Sequence, residues 1–528
     1  MPNLWYSFVY SATEALNRLM LDVPEQTVFA LIRTYGGIFG VAYLLYWIGV
    51  VTYRLTLHPL AHIPGPFLCR IGSLQQCYFE AILNGRFLER FPEYHRKYGS
   101  IGPVVRISPN EVHLNDSSMY HEIYKNNSMF TKDATSYALG VSEAMAFTVS
   151  VDKHRQKRKT LDPNFSKSRV ALMEDGLYKE LELVFDRITE YEQRGEPVPG
   201  DIISRYLFGK SLGLVSSSNF VERAEQMRSF TKGIWIAIHF QFIRNTLLVL
   251  PRWILAYLSD TFVKVLWFTE GLAQQAIQDF NMQEALAKSP IDETIFDRLL
   301  IDSARRQASG KDLRPLHFRE LADEIAGILN AGTEPTATML SYATYFWLKF
   351  PHVQSRVLEE LASVQHVKDR LPLQQLENLP YFTGFVKESL RYMPLVPGRL
   401  PRTVPLGEGL YVPSTKQTIP PGSVVGMSHL AIHFDPDIFE QPDEFRPERW
   451  IGEQGKALNR WLLSFSKGRT DCIGKTLAYA EMHLILANLV TRFELELTPN
   501  GHKDMVWLDR VIVHSGQSLR VMVKSKRG

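Results

Sequence analysis

The twenty residues between Arg33 and Arg54, "TYGGIFGVAYLLYWIGVVTY", carry no charge. As a helix they are long enough to cross a hydrocarbon core of about 30 Å, which predicts a transmembrane helix over 34–53. Farther along, apolar side chains return at spacings of three and four over 167–193, 219–244, 317–349 and 473–491, predicting four long helices. Strand-like alternation is confined to short pieces, "PVVRIS", "VPLGEGLYV" and "SLRVMV". The predicted class is mostly α with small β-sheets. Pro59, Pro64 and Pro66 in "LHPLAHIPGP" mark 54–66 as a stiff, non-helical tether. From 67 to 528 no repeat, low-complexity stretch or long linker interrupts the pattern, so one large domain is expected behind the anchor. Residues 233–258 are nearly all apolar but broken by Arg244, Pro251 and Arg252. That excludes a second span and leaves two readings, a buried element or a surface dipping into the bilayer interface.

Charge changes the picture little. The 59 basic and 56 acidic side chains almost balance, so no overall field points to nucleic acid. Locally, Arg54 and Arg70 follow the span and no acid occurs before Glu80. The positive-inside rule then puts residues 1–33 on the lumenal side and the main domain in the cytosol. The span begins too late for an ordinary signal peptide, so it stays as an anchor. Three sequons, at Asn115, Asn126 and Asn164, are expected to be bare in that topology. Three cysteines, Cys69, Cys77 and Cys472, with no C-x-x-C pairing, do not make a disulfide framework and fit a reducing compartment.

Candidate chemistry concentrates in "FSKGRTDCIGKT", residues 465–476. Its Gly474-Lys475-Thr476 ending suggests a phosphate loop, but five residues rather than four separate Gly468 from Gly474. The extra residue disturbs the aim of the backbone N–H groups, and nucleotide binding at 468–476 is kept only as the alternative from another class. The other reading centres on Cys472. Two glycines bracket it and a helical pattern follows, so a thiolate there gains from the helix N-terminus, which predicts a lowered pKa. A single cysteine with no second ligand at metal spacing argues against zinc. A metal that brings four equatorial ligands of its own needs only one, and that metal is haem iron.

Phe465, Gly468, Cys472 and Gly474 form F-x-x-G-x-x-x-C-x-G, which resembles the haem-thiolate loop of the cytochrome P-450 family. Other family marks stand in order: Glu388 and Arg391 in "ESLR", Arg449 in "FRPERW", and "AGTEPT" at 331–336. The resemblance covers nearly the whole chain and implies the cytochrome P-450 fold with haem b on Cys472. It implies a buried charge network of Glu388, Arg391 and Arg449, and haem-propionate contacts from His154, Arg158 and Arg402. It implies proton delivery through Glu334 and Thr336. "KHRQKRK", otherwise a nuclear-localisation or nucleic-acid patch, then offers Arg155, Lys157 and Lys159, with Lys467 and Lys475, to an acidic electron donor, NADPH-cytochrome P-450 reductase. The sequence is similar to filamentous-fungal trichodiene oxygenases. That implies an endoplasmic-reticulum monooxygenase hydroxylating or epoxidising an apolar terpenoid or polyketide in secondary metabolism. Substrate contacts are expected from 130–150, 205–260, 320–336, 395–402 and 506–520. Rearrangement or dehydration without net oxygen insertion is the alternative within the class; a haem sensor without turnover is the one outside it.

Two positions depart from the family pattern. Thr470 occupies the slot two before the cysteine where arginine is usual, and Arg469 stands one earlier. Pro335 takes the place of a threonine, between Glu334 and Thr336. Proline lacks the N–H for the carbonyl of Ala331 and clashes with it, so the helix is expected to open there. Thr336 falls about 100° further round.

Overall fold

The computed structural model describes residues 25–99, 103–137, 141–199, 234–250, 252–258, 260–289, 293–310, 316, 318–499, 505, 507–515 and 519–527. The chain starts with helix α1 (Glu25–Thr56), of which Arg33–Thr56 is apolar enough to span a membrane and has none of its residues buried. At 1.5 Å per residue that stretch is about 36 Å long. The helix runs to Thr56, so the tether proper begins at 57. It is no loose linker: Leu60 and Ile63 are fully buried. Buried Arg106 donates to the carbonyls of Arg54 (2.9 Å), Leu60 (3.2 Å) and Pro109 (2.8 Å). Gly65 is needed beneath it, since a Cβ there would sit 2.1 Å from the Arg106 carbonyl oxygen.

Next come α2 (Phe91–Tyr98), β1 (Val104–Ser108), β2 (Glu111–Leu114), β3 (Thr131–Lys132) and α3 (Val151–Leu161). The helix predicted over 167–193 is two, α4 (Lys167–Leu172) and α5 (Glu174–Arg194), interrupted at Met173 and ended by Gly195 in the left-handed region at φ 64°. β4 is Val198–Pro199. Of the helix predicted over 219–244, the part up to 233 lies outside the described residues. The remainder bends at Phe240, giving α6 (Ile234–His239) and α7 (Gln241–Val249), then α8 (Arg252–Leu258) and α9 (Asp260–Gln278). Within 233–258 the described side chains divide: Trp235, Ile238 and Leu255 are buried, as the buried-element reading expects, whereas Phe242 (74%), Trp253 (74%) and Tyr257 (91%) are exposed.

The second half contains α10 (Ile295–Ala308), α11 (Phe318–Lys349), α12 (Pro351–Ala362) and α13 (Pro380–Tyr392). Strands β5 (Arg402–Thr403), β6 (Leu410–Val412), β7 (Gln417–Ile419) and β8 (Val424–Gly426) follow, then α14 (His429–His433) and α15 (Lys475–Arg492). The chain ends in β9 (Phe493–Leu497), β10 (Trp507–Arg510), β11 (Ile512–Ser515) and β12 (Arg520–Lys526). In "VPLGEGLYV" only the last three residues are strand, because Gly407 (φ 124°) and Gly409 (φ 84°) turn the backbone ahead of them. The main sheet runs β1-β2-β8-β5-β3, and pairs or triplets complete the rest. Residues 480–490 of α15 are all buried, which is the pattern of a helix enclosed on every side. They pack with α5, α11, α12 and α13 into the largest apolar cluster. The domain is mostly helical with small sheets, as the periodicity predicts.

α11 also corrects an expectation. It is one 32-residue helix straight through Pro335. One lost hydrogen bond does not open it, because the turns on both sides, Ile325 to Leu329 and Thr336 to Leu340, are held in the core.

Candidate active site

The loop that carries Cys472 is fixed from below. Glu388 and Arg391, one turn apart on α13, are both 0% exposed. The carboxylate accepts from Arg391 Nε (2.9 Å) and Nη2 (2.8 Å), Arg449 Nε (3.0 Å), Trp450 Nε1 (2.9 Å) and the Arg446 amide (2.9 Å). Burial pushes Arg449 below the usual guanidinium range, against the pull of Glu388. Arg391 Nη1 donates to the His433 carbonyl, and the His433 ring bridges the Arg391 carbonyl (Nδ1, 3.0 Å) and the Leu463 amide (Nε2, 2.8 Å). Ser464 Oγ then reaches the Leu390 carbonyl at 2.6 Å. The network thus hands its geometry on to residues 463–464, directly ahead of Phe465.

Beyond that point, Ser466 (φ 56°) and Gly468 (φ 75°) turn the chain through the left-handed region. Gly468 passes so close to a neighbouring segment that a Cβ would lie 2.0 Å from the Tyr124 carbonyl oxygen. The Cys472 amide closes the turn on the Phe465 carbonyl at 2.9 Å. Gly474 caps α15, and its N–H points at the Cys472 sulfur. The sulfur lies within the domain but its surface is open. Ile473 beside it packs into an apolar cluster with Met145 and with Ile325 and Leu329 of α11, so the loop and the long helix meet here.

The expected fall in the Cys472 pKa is not found. Burial pushes the thiol up and Asp471 adds to this, while the Gly474 N–H, Arg158 and Lys475 pull the other way. The Gly474 N–H, Arg158 and Lys475 stand on the side that favours the thiolate, and a metal cation bound at the sulfur would add to them. Cys69 and Cys77 are also pushed up by burial, Cys69 to about 12. Among the described residues, no group of three or more His, Cys, Asp and Glu side chains could hold a bare metal ion.

Around the same loop stand more cations than carboxylates. Arg402 reaches Thr470 Oγ1 (3.0 Å) and Tyr137 OH (2.8 Å), and Arg158 holds the Asp471 carboxylate (2.8 Å) and carbonyl (2.7 Å). Arg469 donates to the Phe130 carbonyl at 2.9 Å. His154 is buried with Nδ1 unpartnered, and burial with Lys132, Arg158, Arg469 and Arg402 nearby pushes its pKa down to about 3. Lys132, opposite Arg402 across β3 and β5, is pushed down to about 7 by burial and those arginines. A surplus of buried and half-buried cations with one orphaned nitrogen fits the two propionates of a haem. Sequence reasoning missed Lys132 because a lone lysine on a two-residue strand carries no motif. Thr470, in the slot usually held by arginine, accepts from Arg402, and Arg469 stays within the cluster.

Other predicted positions fall elsewhere. On α11, Thr336 is buried and Glu334 half-buried, either side of Pro335. Lys157 is no part of a docking face: its side chain is only 13% exposed and bonds the Glu143 carbonyl, Glu320 (3.3 Å) and Glu324 (3.5 Å). Arg155, Lys159 and Lys475 are exposed, and Lys467 is half-buried on the Asn459 carbonyl.

A mostly helical domain in which a buried charge network aims one cysteine into a cation-rich interior is that of a haem-thiolate oxidoreductase. Comparison with known proteins makes the assignment definite. The Cytochrome P450 family model matches residues 63–516, and the chain belongs to the cytochrome P450 family. It is 31% identical over 481 residues to cytochrome P450 monooxygenase aneF of Aspergillus aculeatus, covering 87% of this chain and 93% of that one. It is 33% identical to sdnE of Sordaria araneosa (88% and 93% covered) and 32% identical to TRI4 of Trichoderma arundinaceum (87% and 89% covered), both also cytochrome P450 monooxygenases. The protein is accordingly an oxidoreductase that incorporates molecular oxygen, of a family whose haem is held by a cysteine thiolate.

Proposed function

We propose that this chain is a membrane-anchored monooxygenase that hydroxylates or epoxidises an apolar small molecule, a terpenoid or polyketide of fungal secondary metabolism. The observation that carries the proposal is Cys472, held at the end of the Glu388 network and surrounded by cations suited to propionates. Cys472 would hold haem b through its thiolate. His154, Arg158, Arg402 and Arg469, joined by Lys132, would take the propionates, while Phe465, Gly468 and Gly474 shape the loop that would receive the cofactor. Haem held in this way would supply oxygen activation, the chemistry that thiolate ligation favours. Glu334 carries protons inward and Thr336 offers a hydroxyl donor on the same helix. Pro335 leaves the Ala331 carbonyl without its usual helix donor, so that oxygen is able to accept from a water in the relay.

Exposed Arg155, Lys159 and Lys475 support docking of an acidic NADPH-cytochrome P450 reductase. Exposed α1, together with Phe242, Trp253 and Tyr257, supports an endoplasmic-reticulum anchor with the domain resting on the cytosolic face. Of the three sequons Asn164 is buried while Asn115 and Asn126 are exposed, and a mass shift on deglycosylation would overturn this topology.

The chain, produced with a reductase, is to be assayed against sesquiterpenes and polyketides. NADPH consumed in equal amount to oxygenated product supports the proposal. Product formed without NADPH would favour rearrangement or dehydration. Cys472→Ser abolishes the thiolate-type spectrum of the reduced, carbon-monoxide-bound protein; an unchanged spectrum and turnover refute the assignment of Cys472.

A further inference from the structure

Residues 141–148 form turns rather than regular structure, yet Val141, Ala144 and Met145 are buried. Turn hydrogen bonds pair the Ala144 amide with the Val141 carbonyl and the Phe147 and Thr148 amides with the Ala144 carbonyl, which leaves the amides of Glu143 and Met145 and the carbonyls of Glu143 and Ala146 to find partners from elsewhere. Charged side chains supply them. The Glu143 amide donates to Asp323 (3.3 Å) and the Met145 amide to Glu324 (2.9 Å), both carboxylates being on α11. Lys157 of α3 holds the Glu143 carbonyl and sits 3.5 Å from the Glu324 carboxylate. From the other side, Lys132 donates to the carbonyls of Met145 (3.3 Å) and Ala146 (2.7 Å). Gly327 allows the approach: a Cβ there would lie 2.8 Å from Ala144 Cβ.

We infer that Glu324 and Lys157 are a positioning pair that clamps residues 141–148 onto α11 and thereby sets how a substrate is held. The inference rests on the reading that 130–150 contributes substrate contacts. Two features argue for positioning rather than bulk stability. The pair contacts the loop through single peptide groups, and Met145 shares its apolar cluster with Ile325, Leu329 and Ile473, the neighbour of Cys472. Lys157 also lies on the helix that carries Arg155, His154 and Arg158, so one helix serves the outer face, the cation cluster and this loop.

The test uses the haem-loaded full chain and its variants Glu324→Ala, Glu324→Gln and Lys157→Gln. Amide exchange is followed over 143–148, and Soret shifts are titrated with imidazole and with 1-phenylimidazole. In Glu324→Ala, loss of the amide's acceptor is expected to speed exchange at Met145 about tenfold. Imidazole should bind as to the parent, while the bulkier 1-phenylimidazole loses about fivefold to tenfold in affinity, the worth of one hydrogen bond. Glu324→Gln keeps an acceptor and should recover most of the protection, and Lys157→Gln should fall between. Unchanged exchange in both Glu324→Ala and Lys157→Gln refutes the clamp. Faster exchange with unchanged probe selectivity refutes its role in holding substrate. If a variant takes up no haem, exchange of the same peptide in metal-free parent and variant decides the matter. Absence of a thiolate spectrum in the parent would instead sink the haem-thiolate reading while leaving the exchange result interpretable.

Discussion

Glu388→Ala is the sharpest perturbation available. The carboxylate is wholly buried and accepts five hydrogen bonds, three of them from two guanidiniums. Alanine leaves Arg391 and Arg449 facing each other with their carboxylate gone, and removing one partner of a buried ionic group costs about 3–5 kcal/mol. Unfolding entropy of about 2.1 cal/mol/K per residue gives roughly 1 kcal/mol/K for a domain of this length, so melting should fall by about 3–5 °C. The larger effect should be local. Arg391 holds His433, which holds the Leu463 amide, so the cysteine loop loses its register and haem retention drops before the domain melts. Glu388→Gln should behave similarly, because its NH2 is set against the donors of Arg391 and Trp450. The assay is the Soret-to-protein absorbance ratio of purified protein together with a thermal melt. A Glu388→Ala protein with full haem content and a melting point within about 1 °C of the parent would refute the reasoning.

Further outcomes follow from the same geometry. Gly468→Ala puts a Cβ 2.0 Å from the Tyr124 carbonyl oxygen at a positive φ, and should lower haem content in the same spectroscopic assay. Burial, with Glu80 nearby, pushes the Asp509 carboxyl up to about 7, so the stability this group contributes is present below its unfolded value of 3.8 and lost as pH rises through about 7. Asp509→Asn should therefore match the parent in denaturant melts near pH 4 and exceed it increasingly up to about pH 8; a constant difference across that range counts against the buried-carboxyl account. Reversal of charge at Arg155, Lys159 and Lys475 should raise the KM for reductase and flatten the salt dependence of turnover, whereas Lys157→Gln should leave reductase KM unchanged, as expected of a side chain turned inward.

The one-residue displacement at Thr470 shows how far a motif carries. Spacing places an arginine in the cysteine loop but does not say where its guanidinium ends. In the folded loop Thr470 takes a hydrogen bond from Arg402, and Arg469 turns to the Phe130 carbonyl. The local charge is kept while its bonding changes. Lys132 adds to that charge from a strand more than three hundred residues away in sequence.

The residues alone determined the helical class, the long apolar helix near the start, the cysteine loop and the family, because each is written in local order. A run of uncharged residues, a repeat of three and four, and four motifs in sequence are all one-dimensional signals. Which charges are buried was decided only by the tertiary structure. Arg155 and Lys157 are two residues apart on one helix, yet one faces solvent and the other the Glu324 carboxylate. The proline segment reads as a stiff tether, but that Arg106 grips it from the main domain is not legible in the segment itself. Pro335 reads as a helix breaker but is carried through by packed turns on either side. The Cys472 thiol, expected to be lowered by its helix, is raised by burial. In each case the outcome is a balance between local preference and desolvation or packing by distant segments, and only the folded chain brings those segments together.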